Sequence, residues 1–295
     1  MDRLRLKAQA KINLGLDVLR RREDGYHEVK MIMQTVGIYD QIELVKCKEP
    51  GIRVKTNLFY VPENENNLVY KAAKILMDEF SIEEGVFIDL NKYIPVAAGM
   101  AGGSSDAASV LYGMNRMFRL GLSQQQLMER GVKIGADVPY CIMRGTALAE
   151  GIGEKLTQLP PMPDCKVLVA KPAISVSTKY VYENLHANDL TEDQHPDVDA
   201  VIEGIKAGDL KKVADSMGNV LELVTAKEYP VIEEIKKFMK ENGALNAMMS
   251  GSGPTVFGLY DDVEAAKAAY YRLRGMNLAK QVYLTDIFNN RRQKL

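Results

Sequence analysis

The spacing of apolar side chains predicts a first half of the chain that mixes strands and helices. Apolar residues alternate with polar ones in four short segments, which is typical of strands with one buried face. These predicted strands are residues 11–19, 41–45, 51–56 and 86–90. Helical spacing follows a possible cap at Asn66-Asn67, occurs again in residues 107–118, and runs from a Ser123 cap to about residue 133.

The pattern changes after a proline cluster at residues 159–163, because prolines continue neither a helix nor a central strand. We therefore predict two domains, residues 1–160 and 161–295, in an α+β fold. The order of elements predicted for the second domain fits a ferredoxin-like layer. In chain order they are a strand at 166–170, helices at 198–206, 209–224 and 230–241, strands at 245–249 and 255–260, a helix at 262–274 and a strand at 281–288.

Composition narrows the class of protein. The 295 residues are 46% hydrophobic and carry a formal net charge of −1, which gives no electrostatic reason to expect nucleic acid or an anionic membrane as partner. No apolar stretch approaches the ~20 residues of a membrane span, and the first residues lack an apolar signal region. The three cysteines are few and widely spaced, so we expect a cytoplasmic protein without a disulfide framework or a cysteine zinc site.

A glycine-rich segment at residues 94–108 is the strongest chemical signal. Its glycines allow close approach of the backbone to a ligand, and Ser104, Ser105 and Asp106 are candidate caps of the following helix. The amides at such a helix start favour an anion such as phosphate. An ordinary strand–turn–helix connection is the alternative. The segment has neither the lysine of a Walker A loop nor the spacing of a dinucleotide fingerprint.

Three further segments each allow two interpretations. Lys11 and Asn13 share one face of a strand, which fits either a half-solvated edge or a lysine aimed at phosphate or at an acidic partner. Asp137, between Gly135 and Pro139, fits a turn aspartate or a partly buried base equally well. In the Asp-Gly turn at residues 24–27, Tyr26 and His27 either pack the turn or stack on and hydrogen-bond a planar ligand.

Together with the second glycine-rich turn at residues 250–255, these segments resemble the GHMP kinase superfamily. The superfamily loop corresponds to residues 95–105. Residues 10–14, 24–27, 102–108 and 135–139 are similar to the motifs of the family that phosphorylates 4-diphosphocytidyl-2-C-methyl-D-erythritol. The resemblance covers essentially the whole chain, in the family's order. It implies an N-terminal domain like domain 2 of ribosomal protein S5 and a ferredoxin-like C-terminal domain.

The resemblance also implies roles for single residues. Lys11 and Asp137 match the catalytic pair, with Asp137 accepting the proton of the substrate's C2 hydroxyl. ATP with Mg²⁺ is expected on the loop, and the resemblance does not place the metal ligands. The implied ATP-binding residues are Pro95, Ala98, Gly99, Met100, Ala101, Gly102, Gly103, Ser104 and Ser105, with Asn67 and Lys92 near adenine. The implied substrate-binding residues are Asn13, Tyr26, His27, Thr178 and Tyr182, of which Tyr26 and Tyr182 would stack on the cytosine.

Two alternatives compete with a kinase of a cytidine-diphosphate polyol. One is another kinase of the superfamily, acting on homoserine, mevalonate or a sugar, which has no use for a base-reading turn. The other is a nucleic-acid-binding module, since the N-terminal fold also occurs in translation proteins. The near-zero net charge disfavours the second. We expect a monomer or weak homodimer with a small-molecule substrate and no membrane partner.

Overall fold

The computed structural model describes residues 1–289, which form two compact units. The first consists of residues 1–10, 38–96 and 101–143, and the second of residues 11–37, 97–100 and 144 onward. Strands β1 (Arg3–Arg21) and β2 (His27–Cys47) are 19 and 21 residues long, and each contributes to both units. The domain boundary at residue 160 stays a prediction, and residues 290–295 of the second predicted domain lie outside the described residues.

The first unit places helices against a sheet. Strand β4 (Gly85–Asn91) lies between β3 (Ile52–Thr56), to which it is parallel, and β2, to which it is antiparallel. The helices are α1 (Leu68–Glu79), α2 (Gly102–Phe118), α3 (Gln124–Val132) and α4 (Val138–Met143). Helix α2 packs against α1 and α4. A Cβ on Gly113 of α2 would lie 2.5 Å from Leu44 Cδ1 and 2.7 Å from Leu6 Cδ1, so this glycine sets how closely α2 approaches the sheet.

The caps of two helices form as the sequence predicts. Asn67 accepts the amide of Val69 at 3.0 Å and begins α1. Ser123 and Gln126 form a reciprocal capping box at the start of α3. These caps depend on residues a few positions apart, so they are readable from sequence.

The second unit contains a four-stranded antiparallel sheet in the order β11-β7-β10-β9. Its strands are β7 (Lys166–Lys171), β9 (Asn246–Met249), β10 (Val256–Tyr260) and β11 (Gln281–Asp286). A hairpin of β5 (Thr146–Gly151) and β6 (Lys155–Gln158) continues from β2. The helices are α5 (Thr178–Asn184), α6 (Val198–Ala207), α7 (Leu210–Ser216), α8 (Glu222–Glu228), α9 (Val231–Glu241) and α10 (Val263–Arg274). The predicted α+β fold class is confirmed.

The single helix predicted at residues 209–224 is wrong. The segment breaks into α7, the two-residue strand β8 (Gly218–Asn219) and α8. Strand β8 pairs in parallel with Gly15 and Leu16 of β1, which lie just over two hundred residues earlier in the chain. Helical spacing within a segment carries no information about such a distant pairing.

The helices among residues 1–289 include none with the length and apolar character required to cross a lipid bilayer.

Candidate active site

Strand β1 brings Lys11 and Asn13 together inside the second unit. Their exposed fractions are 4% and 0%, so the interpretation as a half-solvated edge strand is wrong. The Lys11 ammonium donates to Asn13 Oδ1 over 2.6 Å. No carboxylate of residues 11–37, 97–100 and 144–289 forms an ion pair with it. Within this part of the second unit, no carboxylate competes with an anionic ligand for this side chain.

The backbone of residues 97–100 adjoins this lysine. The Lys11 amide donates to the Met100 carbonyl at 3.2 Å. Gly99 has φ +72°, and a Cβ there would overlap the carbonyl oxygen of Ser250, so the position requires glycine. The Ser250 hydroxyl donates to the Gly99 carbonyl at 3.0 Å. Thus the two glycine-rich segments predicted from sequence contact each other within the second unit.

Helix α2 starts earlier than predicted. Its first residue is Gly102, and Ala101 precedes it with φ 53° and no side-chain cap. Ser104, Ser105 and Asp106 therefore lie inside the helix, and their predicted role as caps is wrong. The reason is the left-handed Ala101, which turns the chain into the helix two residues before the first polar side chain. The first amides of the helix have no carbonyl one turn earlier and remain available to an anion.

The loop residues differ in what they can offer a ligand. Ser105 donates its hydroxyl to the Gln9 carbonyl at 2.7 Å, so this side chain fixes α2 to β1. Pro95, Ala98 and Met100 are buried, which leaves their backbone as the ligand-binding part. Gly103 is exposed at the helix start.

Ser104 lies beside the turn that carries Asp137. A Cβ on Gly135 would be 3.9 Å from Ser104 Oγ. The Asp137 carbonyl accepts the Cys141 amide at 3.0 Å, so this aspartate stands directly before α4, and its side chain is half-buried. Both interpretations of Asp137 fit this position. The first unit thus holds the start of α2 and the predicted base side by side.

Asn67 and Lys92, the residues predicted near adenine, have structural partners. Asn67 caps α1 and also donates to the Pro62 carbonyl at 2.6 Å. The Lys92 ammonium donates to Asp40 and, over 2.6 Å, to Asp106. Asp40 also accepts the amides of Tyr93 and Ile94 at 2.5 and 2.8 Å. Contact of Asn67 or Lys92 with ATP stays a prediction.

The Asp40–Lys92–Asp106 cluster is buried and places two carboxyl groups around one ammonium. Burial alone would lower the pKa of Lys92, but the carboxylates of Asp106 and Asp40 outweigh burial and raise that pKa above its ordinary value. Burial raises the pKa of Asp106 well above its ordinary range, against the opposing charge of Lys92. Asp106 Oδ1 is buried without a hydrogen-bond partner among the described residues.

The residues predicted to read a base lie in the second unit. The rings of His27 and Tyr182 are in contact, with centroids 5.1 Å apart and planes tilted by 49°. Tyr26 is 61% exposed, and its amide donates to Asp24 Oδ1 in the predicted Asp-Gly turn. Burial, followed by the charge of Arg21, lowers the pKa of His27, so this ring is neutral at pH 7. Thr178 contacts Ser252, hydroxyl to hydroxyl, at 2.8 Å.

Sequence analysis missed Asp40 and Asn219. Asp40 occupies an inward position of β2 between buried Ile38 and Ile42, and a carboxylate in an alternating apolar face was the available signal. Asn219 gave no signal, because it falls inside the segment predicted as one helix.

Comparison with known protein families and solved structures shows which class of enzyme has this fold. Residues 67–145 match the GHMP kinases N terminal domain, and residues 201–277 match the GHMP kinases C terminal family. A homoserine kinase from Cytophaga hutchinsonii shares the fold, with a TM-score of 0.80 over 97% of this chain and 95% of the other at 21% identity. The fold and both domains are those of GHMP kinases.

Closer relatives identify the family. The chain is 59% identical to a 4-diphosphocytidyl-2-C-methyl-D-erythritol kinase of Lachnospira eligens, over 98% of this chain and 99% of the other. It is 53% identical to the protein of that name from Lachnoclostridium phytofermentans, over 99% of both. The crystal structure of a 4-(cytidine 5'-diphospho)-2C-methyl-D-erythritol kinase superposes with a TM-score of 0.82 at 30% identity, over 96% of this chain and 99% of the other. The chain belongs to the 4-diphosphocytidyl-2-C-methyl-D-erythritol kinase family.

Proposed function

We propose that this chain transfers the γ-phosphoryl group of ATP to the C2 hydroxyl of 4-diphosphocytidyl-2-C-methyl-D-erythritol. The products are the 2-phosphate and ADP, and the reaction belongs to non-mevalonate isoprenoid precursor biosynthesis. Full-length identity with kinases of that name supports the substrate. The observation that carries the chemistry is the buried Lys11 ammonium, which has a neutral partner, on a residue whose backbone amide donates to the Met100 carbonyl.

Phosphoryl transfer requires mainly alignment and stabilisation of charge. Asp137 would accept the proton of the attacking hydroxyl, and its half-buried position allows access. Lys11 would stabilise negative charge on the transferring phosphoryl group and lower the barrier. The amides at the start of α2, from Gly102 onward, would hold phosphate oxygens.

ATP would bring Mg²⁺ with it. Residues 1–289 contain no group of three or more His, Cys, Asp or Glu side chains placed to hold a metal. This fits Mg²⁺, which keeps several waters and binds mainly through the phosphates of a nucleotide rather than in an all-protein cage. The Ser104 hydroxyl, at the start of α2 beside the Asp137 turn, is the protein oxygen that we expect near the ion. When bound, Mg²⁺ neutralises charge on the β- and γ-phosphates.

His27, Tyr26, Tyr182 and Asn13 would bind the cytidine end of the substrate. A neutral His27 presents one donor and one acceptor, which suits the edge of a base. Tyr182 already contacts the His27 ring, so we propose that a cytosine enters by separating these rings. We also propose a cytoplasmic enzyme that acts as a monomer or weak homodimer, with no nucleic-acid or membrane partner.

A coupled ADP-release assay across four alcohols tests the proposal. We expect turnover with 4-diphosphocytidyl-2-C-methyl-D-erythritol and background rates with mevalonate, homoserine and galactose. Asp137→Asn should lower kcat by ~100-fold or more while ATP still binds, because the base is lost. Asp78→Asn, an exposed carboxylate on α1, is the control and should keep wild-type kcat. Turnover of another alcohol at the highest rate, or near-normal kcat in Asp137→Asn, would contradict the proposal.

A further inference from the structure

Asn219 lies behind the second glycine-rich turn and makes three hydrogen bonds from one buried side chain. Its Nδ2 donates to the carbonyls of Met249 and Gly251, both at 2.8 Å. Its Oδ1 accepts the Leu221 amide at 3.0 Å. The exposed fraction of Asn219 is 7%. One amide therefore fixes two backbone positions, one before and one within the turn at residues 250–254.

The same short segment supports the turn at two other points. Glu222 accepts the Met249 amide at 2.7 Å, and Thr225 donates its hydroxyl to the Ser252 carbonyl at 3.3 Å. Strand β8, which carries Asn219, is itself fixed by its pairing with Gly15 and Leu16 of β1. The turn is thus positioned by side chains from outside it, which matters because its glycines at 251 and 253 have positive φ and leave a flexible backbone.

The turn at residues 250–254 determines where Lys11 and the first glycine-rich segment lie. Ser250 bonds the Gly99 carbonyl, and a Cβ on Gly251 would lie 3.2 Å from the Gly99 oxygen and 3.6 Å from Asn13 Oδ1. Met100, next to Gly99, accepts the Lys11 amide, and Asn13 accepts the Lys11 ammonium. All of these residues belong to the second unit.

We propose that Asn219 is a positioning residue for phosphoryl transfer: it fixes the turn at residues 250–254, and through that turn it sets Gly99, Met100 and the Lys11 ammonium. The inference rests on the proposed kinase function for its kinetic consequence. With a buried side chain bonded, among the described residues, only to main-chain groups of its own segment and at the turn, Asn219 would act through the turn rather than by contact with nucleotide or acceptor. A displacement of about 1 Å at the lysine is enough to cost ~100-fold in rate.

Two substitutions separate the donating half of Asn219 from its accepting half. Asn219→Ala removes all three bonds, whereas Asn219→Asp keeps the acceptor for Leu221 and loses the donor to Met249 and Gly251. We expect both to lower kcat/KM for ATP by ~100-fold in the ADP-release assay. Asn246→Ala is the matched control: Asn246 likewise donates its Nδ2 to the main chain, but to one carbonyl, that of Ala214 at 2.8 Å, which lies outside the turn. It should stay within ~3-fold of wild type.

Amide exchange measured by mass spectrometry gives a readout that does not require turnover. Peptides covering residues 97–101 and 249–254 should exchange faster in Asn219→Ala and Asn219→Asp than in wild type, and at the wild-type rate in Asn246→Ala. If Asn219→Ala does not fold, Ser250→Ala tests the link between the two glycine-rich segments and should lower kcat/KM by ~5-fold.

The two experiments distinguish failure of the proposed kinase function from failure of the proposed role of Asn219. If the wild-type chain releases ADP with none of the four alcohols, the proposed function fails, and exchange still decides whether Asn219 sets residues 97–101. Wild-type kcat/KM in Asn219→Asp, or unchanged exchange at residues 97–101 in both Asn219 variants, would overturn the inference.

Discussion

Lys11 and Lys92 are buried to nearly the same extent, at 4% and 7% exposure, but their partners differ. Lys11 donates to the neutral amide of Asn13. Lys92 donates to two carboxylates, Asp40 and Asp106. A buried charge paired with carboxylates is committed to the fold and is costly to remove, whereas a charge held by a neutral group can act on a ligand.

Residue type and burial therefore do not distinguish Lys11, which we propose as the catalytic cation, from Lys92, which is held by two carboxyl groups of the fold. The charge of the partner separates them. On this basis Lys92 fixes the entry to the first glycine-rich segment: its partner Asp40 holds the amides of Tyr93 and Ile94, and its partner Asp106 lies on α2. Replacement of Lys92 should therefore lower mainly the stability, and replacement of Lys11 mainly the rate.

The largest effect is expected on stability, from Lys92→Met. Removal of the ammonium leaves Asp40 and Asp106 buried next to each other, and breaking a buried ion pair in this way costs about 3–5 kcal/mol. The free energy of unfolding from urea titration measures it. Lys74→Met, which removes an exposed pair with Asp78, is the control and should change stability by less than about 0.5 kcal/mol. Equal losses in the two variants would show that the cluster does not stabilise the first unit.

The next effect is expected on rate, from Lys11→Met. Loss of a buried cation that stabilises developing charge typically lowers kcat by ~100- to 1000-fold. Stability should fall by only about 1–2 kcal/mol, because the substitution leaves one neutral acceptor, Asn13 Oδ1, without its donor. ADP-release kinetics and urea unfolding on the same preparation measure both quantities. If Lys11→Met kept the wild-type kcat and lost as much stability as Lys92→Met, the proposed difference between the two lysines would be wrong.

Much of this contrast could not be read from sequence. Alternation placed Lys11 and Asn13 on one face of a strand, and local spacing gave the caps Asn67 and Ser123. Alternation does not say whether that face is covered, so the burial of Lys11 depends on contacts that only the folded chain supplies.

The contacts that sequence analysis did not predict have a common physical cause. Lys92 meets Asp40, 52 residues away, and Asn219 meets Gly251, 32 residues away. Such pairs are set by tertiary packing, which local propensity does not encode. The start of α2 was misplaced for a different reason: Ala101 adopts φ 53°, a conformation that its residue type does not predict.

The last prediction concerns Asp106→Asn and the dependence of the stability of the Lys92 cluster on pH. Burial raises the pKa of Asp106 well above its ordinary value, so the folded state holds this proton more tightly than the unfolded state. The resulting stability is fully present below the unfolded pKa, near 3.9, and is lost as pH rises through the folded pKa. Within that window the loss is at most about 1.4 kcal/mol per pH unit for one proton.

Asp106→Asn removes this titration and one of the two like charges beside Lys92. Its stability relative to wild type should therefore increase as pH rises from 4 towards neutrality, measured by urea unfolding at each pH. The double variant Lys92→Met, Asp106→Asn should lose less stability than Lys92→Met alone, because only one carboxyl group, that of Asp40, then remains in the cluster. Parallel pH curves for wild type and Asp106→Asn would mean that Asp106 titrates alike in both states, and the cluster would then carry its charges without cost.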